Sequence, residues 1–225
     1  MSSPAAATLL NRAARLYRDA GLDDDACRCL ERSGDFAAAG LIHRHAGRFA
    51  EAAFCFERAG QTLQAARAHE SAGSFADAAR CYEATECHLE AAWLLAHRLG
   101  SPARALAMVA HLPESDRDTA LAVALVRARC RAATRPREAA AELRRVIVGL
   151  ASDRAQAFRY HLTFSWALAV ADSLNRPDLT ASLYAIHPDG TAAWAGWARS
   201  RLGTADGVPT SEPRMSASGE EVGTP

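Results

Sequence analysis

The sequence predicts an all-α fold: a right-handed-type α-solenoid of antiparallel helical hairpins, closed by a C-terminal helical cap. Three observations predict it. Glycine recurs at Gly21, Gly34, Gly47, Gly60 and Gly73, a step of 13 each time. Alanine keeps the same step over a longer span, at Ala13, Ala26, Ala39, Ala52, Ala65, Ala78 and Ala91. Within each unit the apolar and small residues fall mainly at positions 2, 5, 6, 8, 9 and 12. That is a broad stripe at helical spacing, not the alternation of a strand.

Taken in order, residues 1–8 read as a frayed leader. From Leu9 the units run LLNRAARLYRDAG, LDDDACRCLERSG, DFAAAGLIHRHAG, RFAEAAFCFERAG, QTLQAARAHESAG, SFADAARCYEATE and CHLEAAWLLAHRLG. Each fits a helix of ten or eleven residues, about three turns. Glycine at position 13 ends it, because glycine accepts the left-handed backbone of a helix C-terminus. The next helix starts within two or three residues, so neighbours run antiparallel. Ser74 with Asp77 reads as a capping box with Asp in place of Glu. Helices this short are marginal alone and persist by stacking. Alanine at position 5 and a small residue at position 6 allow the backbones to approach closely.

The second helices of three hairpins share Cys29-Leu30-Glu31, Cys55-Phe56-Glu57 and Cys81-Tyr82-Glu83, whereas the first helices lack this signature. The full repeat is therefore a hairpin of 26 residues, with two helix types, A and B, in alternation. Units such as GRFAEAAFCFERAG and GSFADAARCYEATE resemble the hairpins of tetratricopeptide-like and coat-protein-type α-solenoids, over residues 9–112. The standard tetratricopeptide repeat is longer, at about 34 residues, and its Trp-Leu-Gly-Tyr signature is absent. The resemblance implies the architecture and a scaffold role, and no individual binding residue.

The pattern fades at Glu86, which stands where glycine is due. Ser101-Pro102 restarts a helix to about His111. Longer helices are expected over 115–133, 136–151 and 154–174, then a short one over 177–185 and a last over 190–202 carrying Trp194 and Trp197. Residues 113–202 form a cap or a separate subdomain. Phe158, Leu162, Trp166, Ala169 and Val170 give a candidate apolar stripe there. Residues 203–225 have almost nothing to bury and read as disordered.

Acidic and basic residues balance at 26 each, so no bulk field favours nucleic acid or an anionic membrane. Every basic residue is arginine, as a GC-rich bacterial genome would give. The absence of lysine excludes Schiff-base and P-loop chemistry. The start lacks a basic and apolar leader, and no apolar run approaches the ~20 residues that span a bilayer. A cytoplasmic protein with reduced thiols is expected.

No HExxH, GxSxG, GxGxxG or Walker motif occurs, so no catalytic residue, cofactor or metal ligand is assigned. Cys29, Cys55 and Cys81 share one column, as do His43 and His69. Neighbouring like helices lie ~9–10 Å apart, too far for two of those thiolates to reach one zinc at ~2.3 Å. Both columns read as packing. Cys27–Cys29 and Cys87-His88 lack ligand spacing. The arginines of 127–145 (Arg127, Arg129, Arg131, Arg135, Arg137, Arg144 and Arg145) spread around their helices and read as solvated.

Position 7 lies at the edge of the apolar stripe, which makes Leu41, Phe54 and Trp93 candidates for an exposed apolar binding face. Arg44 and Arg67 join them as candidate partner-binding residues. The face is placed on the A helices, whose exposed positions vary. The expected function is a non-enzymatic scaffold or adaptor that binds another protein or peptide, not nucleic acid or membrane. The alternatives are a nucleic-acid-associated protein using the 127–145 arginines and a thiol- or metal-dependent regulator. Oligomeric state stays open.

Overall fold

The structure is a computed structural model, and it describes residues 3–152, 161–187 and Gly190. Among them lie twelve helices: α1 Pro4–Asp19, α2 Asp23–Ser33, α3 Phe36–His45, α4 Phe49–Arg58, α5 Thr62–Ser71, α6 Phe75–Ala84, α7 His88–His97, α8 Pro102–Val109, α9 Arg117–Arg131, α10 Pro136–Ala151, α11 His161–Ser173 and α12 Pro177–Ile186. From α1 to α8 each helix packs on the next in the chain. The chain divides into two compact units, Met1–Cys130 and Arg131–Pro225. No described helix is long and apolar enough to cross a membrane.

From α2 to α7 the helices start at Asp23, Phe36, Phe49, Thr62, Phe75 and His88, in step with the glycines. The joint between them is made by backbone. Glycines 21, 34, 47, 60 and 73 all take positive φ, between 71° and 90°. The N–H of the next residue then reaches back to the carbonyl of position 9, as in Leu22 to Tyr17, Asp35 to Leu30, Arg48 to His43 and Gln61 to Phe56. That is the six-to-one bond of a Schellman ending. The same residue's carbonyl accepts the first bond of the following helix, as in Ala52 to Arg48 and Ala65 to Gln61. One residue thus closes one helix and opens the next.

Glu86 keeps this geometry without glycine, at φ 59°, and Cys87 N–H still bonds the Tyr82 carbonyl at 2.9 Å. The glycine pattern fades there while the backbone rule continues. The expected capping box does not form, because the Ser74 side chain makes no cap bond. Asp77 instead pairs with Arg80 at 2.9 Å. Asp35 does cap its helix by side chain, accepting from Ala38 N–H. The leader is also shorter than expected. Helix α1 begins at Pro4 with Ser3 as its cap, the proline-at-N1 signal.

The repeat core is built from small residues. Ala26, Ala39, Ala52, Ala65, Ala78 and Ala91 are completely buried; Ala13, on the first helix, is half-buried. Gly40 shows how tight these contacts are: a Cβ there would sit 2.8 Å from the ring of the fully buried Phe56.

The second unit adds branched side chains to its buried alanines. Leu143, Val146, Val170 and Leu183 are buried on α10, α11 and α12, which pack on one another. Asn175 ends α11 at φ 51°, as its position before Pro177 suggests. Of the expected stripe on α11, Trp166 and Val170 are buried and Leu162 is half exposed. Phe158, the first turns of the expected 154–174 helix, the expected 190–202 helix beyond Gly190 and the tail over 203–225 lie outside the described residues.

Candidate functional site

The repeat brings together side chains that sit in different columns. Position 10 of one unit meets position 9 of the next. Glu70 accepts from the Tyr82 hydroxyl at 2.8 Å. Glu31 lies 3.4 Å from His43 Nε2, and Glu57 lies 3.1 Å from His69 Nε2. The unit after that adds a thiol, with Cys55 Sγ 3.7 Å from Glu31 Oε1 and Cys81 Sγ 4.0 Å from Glu57 Oε1.

Two clusters result, Glu31–His43–Cys55 and Glu57–His69–Cys81, each with its three donor atoms within 4.8 Å of one another. Every member lies one helical unit from the next, so α2, α3 and α4 build the first cluster and α4, α5 and α6 the second.

Comparing like columns of the repeat does not reveal these clusters. Cys55 does not approach Cys29 or Cys81 as a co-ligand. It approaches Glu31, two helices earlier, and His43, one helix earlier. The recoverable signal is Glu-x11-His-x11-Cys, which occurs twice.

Neither cluster is arranged for nucleophilic catalysis. A relay needs the histidine between acid and thiol, whereas here one carboxylate oxygen contacts both the imidazole Nε2 and the thiol. Burial, with help from the charge and hydrogen bond of Glu31, pushes the Cys55 thiol up to about 11. Burial likewise raises Cys81. A protonated thiol is a poor nucleophile. None of the six cysteines is in a disulfide.

The clusters differ in surroundings. His43 is buried, and its Nδ1 finds no hydrogen-bond partner among the described residues. His69 is less enclosed, and Glu57, Arg80 and Cys81 line a surface cleft with Thr62 and Ala84. Arg80 stands 3.8 Å from Glu57. The first cluster has Phe54 where the second has Arg80, both at position 7.

The partner-face candidates separate. Leu41 is 42% exposed and Phe54 is 54% exposed, Phe54 beside the Arg58 guanidinium, which lies 5.8 Å from its ring centroid. Arg44 and Arg67 are exposed on α3 and α5. Trp93 is not on that face. It is 6% exposed and stacks on His97 with ring centroids 5.0 Å apart.

The repeat pattern does not single out the most exposed apolar residues of the first unit. These are Leu9 and Leu16, 68% and 63% exposed on α1, spaced so that they share one helix face.

Comparison with protein-family models, with curated proteins and with solved structures gave no match. The site therefore stands on its own geometry.

Several of the 127–145 arginines have local partners. Arg127 pairs with Glu114 at 2.7 Å, Arg131 with Glu142 at 2.7 Å and Arg135 with Glu138 at 3.6 Å. Arg129 Nε donates to His97 Nδ1 at 3.1 Å. Arg137, Arg144 and Arg145 are exposed.

Proposed function

We propose that the chain is a non-enzymatic helical-repeat scaffold of the α-solenoid type that binds another protein or peptide. The observation that carries this reading is the pair Leu41 and Phe54. They leave large apolar surface in water on α3, an A helix, and α4, a B helix, so the surface extends beyond the A helices, while position 7 elsewhere in the repeat is mostly arginine. Arg44 follows Leu41 by three positions on α3, so a cation flanks the apolar contact. A partner of matching chemistry is an apolar segment with acidic flanks, the pattern that gives an anchor and a polar rim.

The test is capture from native lysate by the full chain and by a Leu41→Ser/Phe54→Ser variant, with circular dichroism to show that the variant keeps its helices. Both side chains are exposed, so the fold should survive. Loss of the specifically captured proteins from the variant is the expected outcome. The same proteins retained at the same yield would overturn this placement of the face.

A further inference from the structure

We propose that Glu31–His43–Cys55 and Glu57–His69–Cys81 each bind one zinc-class divalent ion through an oxygen, a nitrogen and a sulfur. The distances are those of a near-formed site. Ligand bonds of about 2.0–2.3 Å in tetrahedral geometry place donors roughly 3.3–3.6 Å apart. Oxygen and nitrogen already lie 3.4 and 3.1 Å apart in the two clusters, and oxygen and sulfur 3.7 and 4.0 Å apart. Nitrogen and sulfur lie within 4.8 Å of one another, so small rotations of the cysteine and histidine side chains, with the carboxylate following, complete the contacts. Glu31 and Glu57 are partly exposed, so an ion enters from the solvent side, and water takes the fourth position. Binding displaces the thiol proton to solvent.

The chain contains its own negative controls. At the same offsets, Cys29 is preceded by Tyr17 and Ala5, and Glu83 is followed by Leu95 and Ala107. Glutamate, histidine and cysteine coincide at two consecutive hairpins and part company on either side. Cysteine used only as filler does not need the other two.

Two local features rank the sites. At the first, coordination through His43 Nε2 places the ring proton on Nδ1, which is buried and has no partner among the described residues, and buried N–H groups left unpaired are rare. At the second, Arg80 competes for Glu57, but Arg80 is two-thirds exposed and can swing away at little cost. The Glu57–His69–Cys81 site is therefore the tighter of the two.

The experiment titrates reduced, metal-free full-length protein with Co2+ and follows the thiolate-to-cobalt charge-transfer absorption, then displaces it with Zn2+. Two equivalents are expected. Glu57→Gln or His69→Gln should remove the tighter one, and Glu31→Gln the weaker. Arg80→Ala should tighten the second site by up to about fivefold and leave the first unchanged. Because Cys55→Ser puts a hydroxyl into the core and risks unfolding, the partly exposed glutamates carry the test, with circular dichroism on each variant. No charge-transfer band overturns the proposal, and so does a band that survives the Glu31→Gln/Glu57→Gln double variant, since it would come from the other thiols. A single equivalent lost with Glu57→Gln keeps the second site and removes the first. None of these results bears on the scaffold reading, which rests on Leu41 and Phe54.

Discussion

Helices α2–α7 and helices α10–α12 bury their faces with different proportions of small and branched side chains. In the repeat, the close contacts are alanine and glycine, with larger side chains such as Leu30, Phe56 and Tyr82 fitted against them. In the second unit, leucine, isoleucine and valine join buried alanines such as Ala139 and Ala167 and fill most of the contact from helices of 10–16 residues. A core made of small residues has its tolerance set by backbone separation, so it resists added volume. A core made of branched aliphatics has rotamers to adjust, so it accepts volume-conserving exchange.

The largest effect should come from removing the one large group that a repeat contact is built around. Phe56→Ala is expected to cost about 3–5 kcal/mol in urea denaturation of the full chain. Leu143→Met in the second unit should cost less than about 1.5 kcal/mol. Equal losses would mean that the two cores are packed alike.

Next comes added volume. Ala52→Leu should overpack by roughly 1–3 kcal/mol. Gly40→Ala sets a gain in helix propensity of about 1 kcal/mol against the Phe56 ring, whose nearest carbons sit 2.8 and 2.9 Å from the new Cβ. The ring is fully buried and cannot retreat, so the clash wins and the variant is destabilised. Shortening the ring in Gly40→Ala/Phe56→Leu should recover part of that loss, and strict additivity of the two changes would show that they do not touch.

A smaller effect of opposite sign is expected at Glu86. Left-handed backbone costs a non-glycine residue about 1–2 kcal/mol. Glu86→Gly should therefore stabilise the chain by about 1 kcal/mol, raising the urea midpoint with no change in slope. No gain would mean that Glu86 holds its place through a contact of its own.

The smallest is a dependence on pH. Burial, then the charges of Arg98 and Arg129, lower the His97 pKa below its ordinary value. The unfolded chain then takes up a proton before the folded chain does. His97 contributes nothing unfavourable above about pH 6.5. Stability falls as pH drops below that point, until the folded form protonates too. His97→Gln, which keeps an acceptor for Arg129, should flatten that slope, and an unchanged slope would clear His97 as its source.

The legible parts of this molecule are those where a single residue type has a local physical reason. Glycine at position 13 announces a left-handed turn, alanine at position 5 announces a close contact, and both are where the structure has them. Trp93 escapes that logic because position 7 is a boundary position. What buries it includes a stack on His97, one turn along the same helix, and no column average reveals that. Ser74 escapes it because a capping box needs the Ser74 N–H free for the Asp77 carboxylate, and that N–H already bonds the His69 carbonyl. The two mixed-donor clusters are hidden for another reason. Their members come from three consecutive helices, so neither one helix face nor one repeat column contains them.

The joint between helices also bears on how such a chain can change over time. Leu22, Asp35, Arg48, Gln61, Ser74 and Cys87 occupy the joint, and they share no chemistry. What they have in common is the use of their backbone groups. A gene encoding this chain can therefore gain or lose whole units without inventing a new connection, whereas a gain of one residue inside a unit breaks the phase of everything after it. Length is inherited in fixed steps. Because each cluster is drawn from three consecutive helices and returns with the next hairpin, duplicating one hairpin in frame would copy a complete set of donors along with the fold that holds them.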